Sequence, residues 1–516
     1  MKIRNWYFCF IGFLLCLVVM PIMPHGDDFL YLNYFDNFRD WGIKGYKWVN
    51  NCILLPRGYW RPWEDLIGKI NAMTPGSFPY LNHTIIASSH TVCAYLVFLL
   101  AQMLEIKKSA AFAASLFFLL SSTAMGGLLS IDSIAQVLVS LFGLLSVYSY
   151  CSERKHNKTL WIVFGIAAFF AKESGFVWIF VGPLYSAIVK YVKSGDFRFN
   201  KNLPILRSLI KPLTASCLVV LLYFVAFVVL KPDVFNKLSN EETVESTVEN
   251  VSEKSSRIDE LVGINHKTTS FQLSPVSITK NAFVLYGAAL MPIDTSSIYY
   301  KNFSILIITF ILSLVGLLFI GSCIIVGYKE DRVVMLSLFL ILLWVSSVSL
   351  LTRAGEISPH PSNSIIALML AFGLNKMEFT RKMIISIISF CLSTLITDAH
   401  KYSLIYKAGE ICMNMGRYVV SSSKEKPMKV LCVTLDDNKK DGAFIINTAS
   451  DFAGGGPVLL LYNYEYPKYR DIKKIPSSIF DDKIRIDSLV EAEQKAGKYD
   501  CIWFQNRTNI KVVNIE

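Results

Sequence analysis

The chain has 516 residues, of which 53% are hydrophobic and only 18% are charged. Soluble globular domains carry closer to a quarter charged residues, and here the apolar residues cluster in stretches of about 20, the length that crosses a bilayer. This composition excludes an ordinary soluble protein. The net charge of +11 comes largely from short loops between the apolar stretches. Such loops lie against anionic lipid headgroups, so we expect membrane lipid as a partner and no nucleic acid.

The apolar stretches predict an all-α polytopic membrane protein with about eleven transmembrane helices. The clear spans are residues 6–23, 84–104, 110–129, 134–150, 213–230, 303–326, 333–351 and 383–397. Residues 160–170, 176–192 and 365–374 are shorter or broken stretches that we also count as spans.

The basic residues of the short loops predict the orientation, because Lys and Arg resist translocation. With Lys2 and Arg4 in the cytoplasm, alternation of the spans puts every short basic loop on the cytoplasmic face. The short loops of the opposite face carry only Lys172 and Arg353. These two cations are therefore candidate functional residues.

The same reading divides the chain into parts. Residues 1–400 form the multi-span domain, with extracytoplasmic loops at 24–83 and 231–302, and residues 401–427 form a linker. Within the second loop, residues 278–291 are apolar but short, which favours an interfacial or re-entrant helix. Residues 428–516 alternate strand-like and helical stretches, which predicts a small extracytoplasmic α/β domain that packs or recognises an acceptor. A disulfide between Cys432 and Cys501 is left open.

Two adjacent carboxylates, Asp27 and Asp28, follow the first span directly. Placing them beside the low dielectric of a membrane is costly, so we expect a function, although a polar stop at the interface is the alternative. One of them could act as a general base on a hydroxyl group, and the other could orient it or help to hold a divalent cation, Mg²⁺ or Mn²⁺. A metal site is therefore kept open only at Asp27 and Asp28.

Four cationic or imidazole side chains could contact a phosphate. Arg61 precedes Pro62 and offers a guanidinium for bidentate binding, and Arg353 and His360 share a proline-bearing loop. Lys172 is the fourth, although Lys172 and Glu173 could instead neutralise one another.

Three further polar residues also have structural alternatives. His83 and His90 could serve as ligands or as hydrogen-bonding groups of the interior. Asp132, in a short outer turn, is a third acid of this face or a helix N-cap.

In these segments the chain resembles the GT-C type of membrane glycosyltransferases, multi-span enzymes that use polyprenyl-phosphate sugars. The resemblance covers residues 1 to about 400. The segments that carry it are Asp27-Asp28, Tyr59-Trp60-Arg61-Pro62, His83 with His90, Lys172-Glu173-Ser174-Gly175 and 286–300. It implies that Asp27 or Asp28 is the catalytic base and that Arg61, Lys172 and Arg353 lie near the donor phosphate. The glutamate-bearing motif of the type is missing around Asp132.

In size and layout the chain is also similar to bacterial serotype-converting glucosyltransferases that modify lipopolysaccharide O-antigen. This similarity implies a bacterial inner membrane protein with a cytoplasmic N-terminus and a periplasmic C-terminal domain. The expected reaction moves a sugar, with glucose favoured, from a polyprenyl-phosphate carrier to a glycan acceptor with inversion. A flippase and a polyprenyl-phosphate sugar synthase would be its partners. A protein O-glycosyltransferase and, in a different class, a transporter or flippase of lipid-linked glycans are the alternatives.

Overall fold

The computed structural model describes residues 6–24, 61–74, 77–152, 157–194, 199–230, 274–294, 297, 302–351, 359–422, 430–434, 501–506 and 509–514. Helices account for nearly all of these residues. The α-helices, numbered here in chain order, are α1 (Trp6–Val19), α2 (Pro62–Met73), α3 (Tyr80–Met103), α4 (Lys108–Leu120), α5 (Ser122–Leu129), α6 (Ile134–Cys151), α7 (Asn157–Ala171), α8 (Trp178–Ser194), α9 (Phe199–Leu230), α10 (Pro275–Ala282), α11 (Phe303–Glu330), α12 (Arg332–Leu351), α13 (His360–Leu374) and α14 (Arg381–Ser422).

Within the described residues, seven helical stretches are long and apolar enough to cross a membrane, and the bent pair α4 and α5 makes an eighth. Three shorter apolar helices, α1, α7 and α13, coincide with the remaining predicted spans, and the total of eleven spans stays a prediction. The chain is therefore a multi-pass, mostly helical membrane protein. Each predicted span coincides with an apolar helix, because runs of this length can satisfy their backbone groups in lipid only by forming a helix.

Contacts between residues that are far apart in the sequence bring helix ends together in two groups, one at each end of α3. Where α1 ends and α3 begins, His83 Nε2 is 2.9 Å from the Ile22 carbonyl oxygen. At the other end of α3, the Lys107 amide donates to Asn375 Oδ1 at 2.9 Å. A salt bridge of 2.6 Å joins Lys376 and Glu330 there. We call the end that contains His83 the site end, because the candidate site lies there.

The span predicted over residues 110–129 is broken. Helices α4 and α5 meet at an angle of 50°, and Ser121 between them has an extended backbone. Asn363 of α13 donates to Thr123 Oγ1 at 2.6 Å and to Ser121 Oγ at 3.3 Å. These side-chain bonds stabilise the break inside an apolar bundle, where free polar groups would be costly.

Two stretches predicted as irregular contain helix. The outer loop 24–83 includes α2, which begins at Pro62, in keeping with the preference of proline for the first helical turn. Helix α14 runs to Ser422 and so continues through most of the predicted linker 401–427. The predicted re-entrant segment 278–291 is helical, with a π-helical turn at Phe283–Gly287 between α10 and Ala288–Leu290.

Three short strands follow the helices in the described part of the chain. They are β1 (Val430–Thr434), β2 (Cys501–Asn506) and β3 (Asn509–Asn514), with β1 parallel and β3 antiparallel to β2. Residues 435–500 lie outside the described part, so the α/β domain as a whole stays a prediction. The register pairs Val430 with Cys501 and Cys432 with Trp503, so the two cysteines are not opposite one another.

Candidate functional site: a charged cluster at one end of the bundle

An arginine–glutamate pair joins α2 to the end of α7. Arg61, which precedes α2, donates from Nε to Glu173 Oε1 at 3.0 Å and from Nη2 to Glu173 Oε2 at 3.2 Å. The two residues are 112 positions apart in the sequence. This fork-on-fork geometry is the strongest that an arginine makes with a carboxylate. It holds the start of α2 against the bundle, together with a bond of 3.0 Å from the Trp63 indole to the Ala167 carbonyl.

A sharp backbone turn places Lys172 and Glu173 at the site end. Helix α7 stops at Ala171, Lys172 is extended, and a 3-10 turn, Glu173–Val177, leads into α8. At Gly175 a β-carbon would lie only 2.0 Å from the Ala168 carbonyl oxygen. Only glycine allows the turn to pack this closely. The charged pair is therefore produced by a break between two apolar helices.

Two further acids complete the group. Glu64, in the first turn of α2, lies 3.6 Å from Arg61 Nη1. Asp132 belongs to a 3-10 turn, Ile131–Ser133, between α5 and α6. It interacts electrostatically with Arg61, Glu64 and Lys172. We call Arg61, Glu64, Asp132, Lys172 and Glu173 the charged cluster.

Burial and neighbouring charges shift the pKa values of two residues of the cluster, Glu64 and Lys172. Burial raises the pKa of Glu64 to about 7, a shift that Asp132 increases and Arg61 opposes. Burial and the neighbouring Arg61 guanidinium lower the pKa of Lys172, against the attraction of the three carboxylates. Within the described residues the Lys172 ammonium group has neither a salt bridge nor a hydrogen bond. Lys172 is thus the cation of the cluster that can receive a ligand anion.

The structure places the predicted residues Arg61, Lys172, Glu173 and Asp132 together, although they come from three separate parts of the chain. Glu64 was missed by the sequence analysis. Its position three residues after Arg61, one helical turn away, is the signal that could have found it.

The predicted histidines lie elsewhere, inside the bundle. His90 and His360 are fully buried, with His90 Nδ1 and His360 Nε2 2.9 Å apart. His90 Nε2 donates to the Leu119 carbonyl at 3.0 Å, and Ser140 Oγ lies 2.7 Å from His360 Nδ1. All four ring nitrogens are therefore engaged by the protein. This geometry favours the structural reading for His90, and it gives no support to the phosphate contact predicted for His360.

His83 also has a structural contact, the bond to the Ile22 carbonyl described above. Asp27, Asp28 and Arg353 lie outside the described residues. In the described part of the chain, no group of three or more His, Cys, Asp or Glu side chains could hold a metal ion.

A second polar group was not predicted. Asp294 is fully buried, and its Oδ2 is bonded to His400 Nδ1 and accepts a bond of 2.7 Å from Ser297 Oγ. Thr397 Oγ1 donates at 2.9 Å to the Pro292 carbonyl on the same side of α14. These bonds attach the segment before α11 to α14. No sequence signal joins residues more than 100 positions apart.

No protein-family model matches this chain, and no curated protein matches it. Its function is therefore inferred from the residues and their geometry.

Proposed function

We propose that this protein is a membrane glycosyltransferase that moves a sugar, with glucose favoured, from a polyprenyl-phosphate carrier to a glycan acceptor such as lipopolysaccharide O-antigen. The observation that carries the proposal is the charged cluster at the site end. It combines Lys172, whose ammonium group makes no hydrogen bond or salt bridge with the described residues, with several carboxylates where the helices leave the apolar bundle. Asp27 and Asp28 follow Met23 by four and five residues in the sequence, and they are predicted to supply two more acids.

The chemistry of the transfer matches these groups. The acceptor hydroxyl attacks the anomeric carbon, the bond from that carbon to the phosphate oxygen breaks, and the phosphate leaves with the electron pair. A carboxylate takes the hydroxyl proton, and a cation stabilises the leaving phosphate. Because Glu173 occupies two donors of Arg61, we assign the phosphate contact first to Lys172 and give Arg61 a positioning role. A single displacement inverts the anomeric carbon, without the covalent intermediate of two-carboxylate retaining enzymes.

The proposal includes a location. The site end faces the periplasm of a bacterial inner membrane, where nucleotide sugars are absent and a lipid phosphate supplies the sugar. Residues 428–516 form a periplasmic α/β domain that contacts the acceptor. A flippase and a polyprenyl-phosphate sugar synthase provide the donor, and a divalent cation is kept open as a cofactor.

The test is sugar transfer in membranes that contain the protein. Radiolabelled polyprenyl-phosphate glucose, galactose, mannose or N-acetylglucosamine is supplied, and label in the glycan and released polyprenyl phosphate are measured. We expect transfer from one donor and a loss of tenfold or more in Lys172→Gln, with partial activity in Lys172→Arg. Lys108→Gln, at the opposite end of the bundle, is the matched control and should keep full activity. Wild-type protein that is folded but turns over none of these donors would overturn the proposal.

A further inference from the structure

The charges of the cluster do not balance. Glu64, Asp132 and Glu173 supply three negative charges and Arg61 and Lys172 supply two positive charges, a formal net charge of −1. Excess negative charge in a partly desolvated site favours binding of a proton by one of the acids. The geometry indicates which acid this is.

Arg61 compensates its two neighbouring glutamates unequally. Its Nε and Nη2 atoms donate to both oxygens of Glu173 at 3.0 and 3.2 Å. Glu64 meets only Nη1, at 3.6 Å, beyond the usual hydrogen-bond distance. Glu64 is therefore the weaker partner of Arg61, and its carboxylate is the less stabilised of the two.

The surroundings of Glu64 suit a group that exchanges protons. Its side chain is 19% exposed, so it is partly desolvated but still accessible. Among the described residues, the charged groups that face it are Arg61, Asp132, Lys172 and Glu173, two attracting and two repelling a carboxylate. Their effects partly cancel, so burial dominates and the pKa is about 7. A general base is most effective with a pKa near the working pH.

We propose that Glu64 takes the proton from the acceptor hydroxyl during sugar transfer, a role that the sequence had assigned to Asp27 or Asp28. In this step the hydroxyl oxygen bonds to the anomeric carbon and its proton moves to Glu64 Oε1 or Oε2. The phosphate leaves with the electron pair of the broken carbon–oxygen bond. Arg61 and Glu173 act as positioning residues that hold α2, and with it Glu64, against the cluster. This inference rests on the proposed function.

A purely structural role for Glu64 makes a different prediction. An acid in the first turn of a helix stabilises the helix dipole, and replacing it would change stability without moving a pH profile. Glu64→Gln separates the two roles, because it keeps the shape and hydrogen-bonding oxygen of the side chain but cannot accept a full proton.

The experiment compares wild type, Glu64→Gln, Glu64→Asp, Asp27→Asn, Asp28→Asn and the control Glu105→Gln at the opposite end of the bundle. Transfer rates are measured between pH 5 and 9 at saturating donor. Donor binding and thermal unfolding in detergent are measured separately. For wild type we expect the rate to rise with pH through about 7 and then level off, because the base must be ionised. Glu64→Gln should bind donor within about twofold of wild type but transfer roughly 10²–10⁴-fold more slowly.

Several outcomes would overturn the inference. Glu64→Gln could keep more than half of the wild-type rate, or its loss of rate could be matched by loss of donor binding or folding. An unchanged pH profile in Glu64→Asp, or a loss of transfer in Asp27→Asn or Asp28→Asn but not in Glu64→Gln, would place the base elsewhere. A wild-type protein without any transfer would instead contradict the proposed function itself.

Discussion

Two carboxylates of the described residues are paired where the bundle removes them from water. Glu173 accepts hydrogen bonds from two nitrogen atoms of the Arg61 guanidinium. Asp294 is bonded to the imidazole of His400 and accepts a hydrogen bond from the hydroxyl group of Ser297. The physical reason is the free energy of desolvation, which costs several kcal/mol for each ion that is not compensated. Lys172 departs from this pattern within the described residues, and this is why it carries the functional proposal.

The Asp294–His400 pair allows a test of this reasoning at the residue scale. His400→Ala removes the imidazole from a fully buried carboxylate, so we expect the free energy of unfolding to fall by roughly 3–5 kcal/mol. Thermal or denaturant unfolding in detergent measures the change.

A double-mutant cycle supplies the control. Asp294→Asn combined with His400→Ala should be more stable than His400→Ala alone, because the amide carries no charge to be compensated. If the two substitutions add without coupling, the pair contributes nothing specific.

At the scale of secondary structure, breaks between helices determine where polar groups lie. The turn at Glu173–Val177 positions the charged cluster, and the bend at Ser121 receives the amide of Asn363. A regular helix would leave neither an exposed carbonyl nor a polar turn in these positions. Between the breaks the helices pack closely through glycine, because small residues allow backbones to approach in lipid.

Glycine packing between α11 and α13 gives a prediction for whole elements. A β-carbon at Gly373 would lie 1.9 Å from the Cys323 carbonyl oxygen, whereas nothing lies within 4 Å of one at Gly321. Gly373→Ala must therefore separate the two helices, and we expect a loss of roughly 1–3 kcal/mol of unfolding free energy.

Gly321→Ala is the matched control on α11. It should be neutral or stabilising by up to about 1 kcal/mol, because alanine is the better helix former. Equal melting temperatures for the two variants would contradict the close packing of α11 against α13.

At the scale of the whole molecule, the charged cluster depends on the alternation of the spans. Helices α3, α6 and α8 begin at the site end, and α7 finishes there. Basic loops follow the opposite ends, as the positive-inside rule requires of a cytoplasmic face. This alternation predicts a single orientation, in which the cluster, Asp27 and Asp28 lie on the same side of the membrane.

Reporter fusions test this orientation. Alkaline phosphatase fused after Glu516 should be active, and the same enzyme fused after Lys376 should be inactive, because the predicted topology puts the two points on opposite faces. A fluorescent protein that folds only in the cytoplasm should give the reverse pattern. Activity of both phosphatase fusions, or of the Lys376 fusion alone, would reject the predicted topology.

The sequence by itself determined that the chain is a multi-pass, mostly helical membrane protein, because a run of apolar residues long enough to cross a bilayer can satisfy its backbone only as a helix. It also identified Arg61, Lys172, Glu173 and Asp132 as candidates, since charges beside lipid are costly. The sequence did not predict the pairing of Arg61 with Glu173 or of Asp294 with His400. It also did not predict the bend of the chain at Ser121. Those features depend on contacts between residues more than 100 positions apart. Only the tertiary structure decided that Glu64 lies in the cluster. The pKa of Glu64 could not be predicted from the sequence either, because a pKa depends on the charges and burial that packing creates.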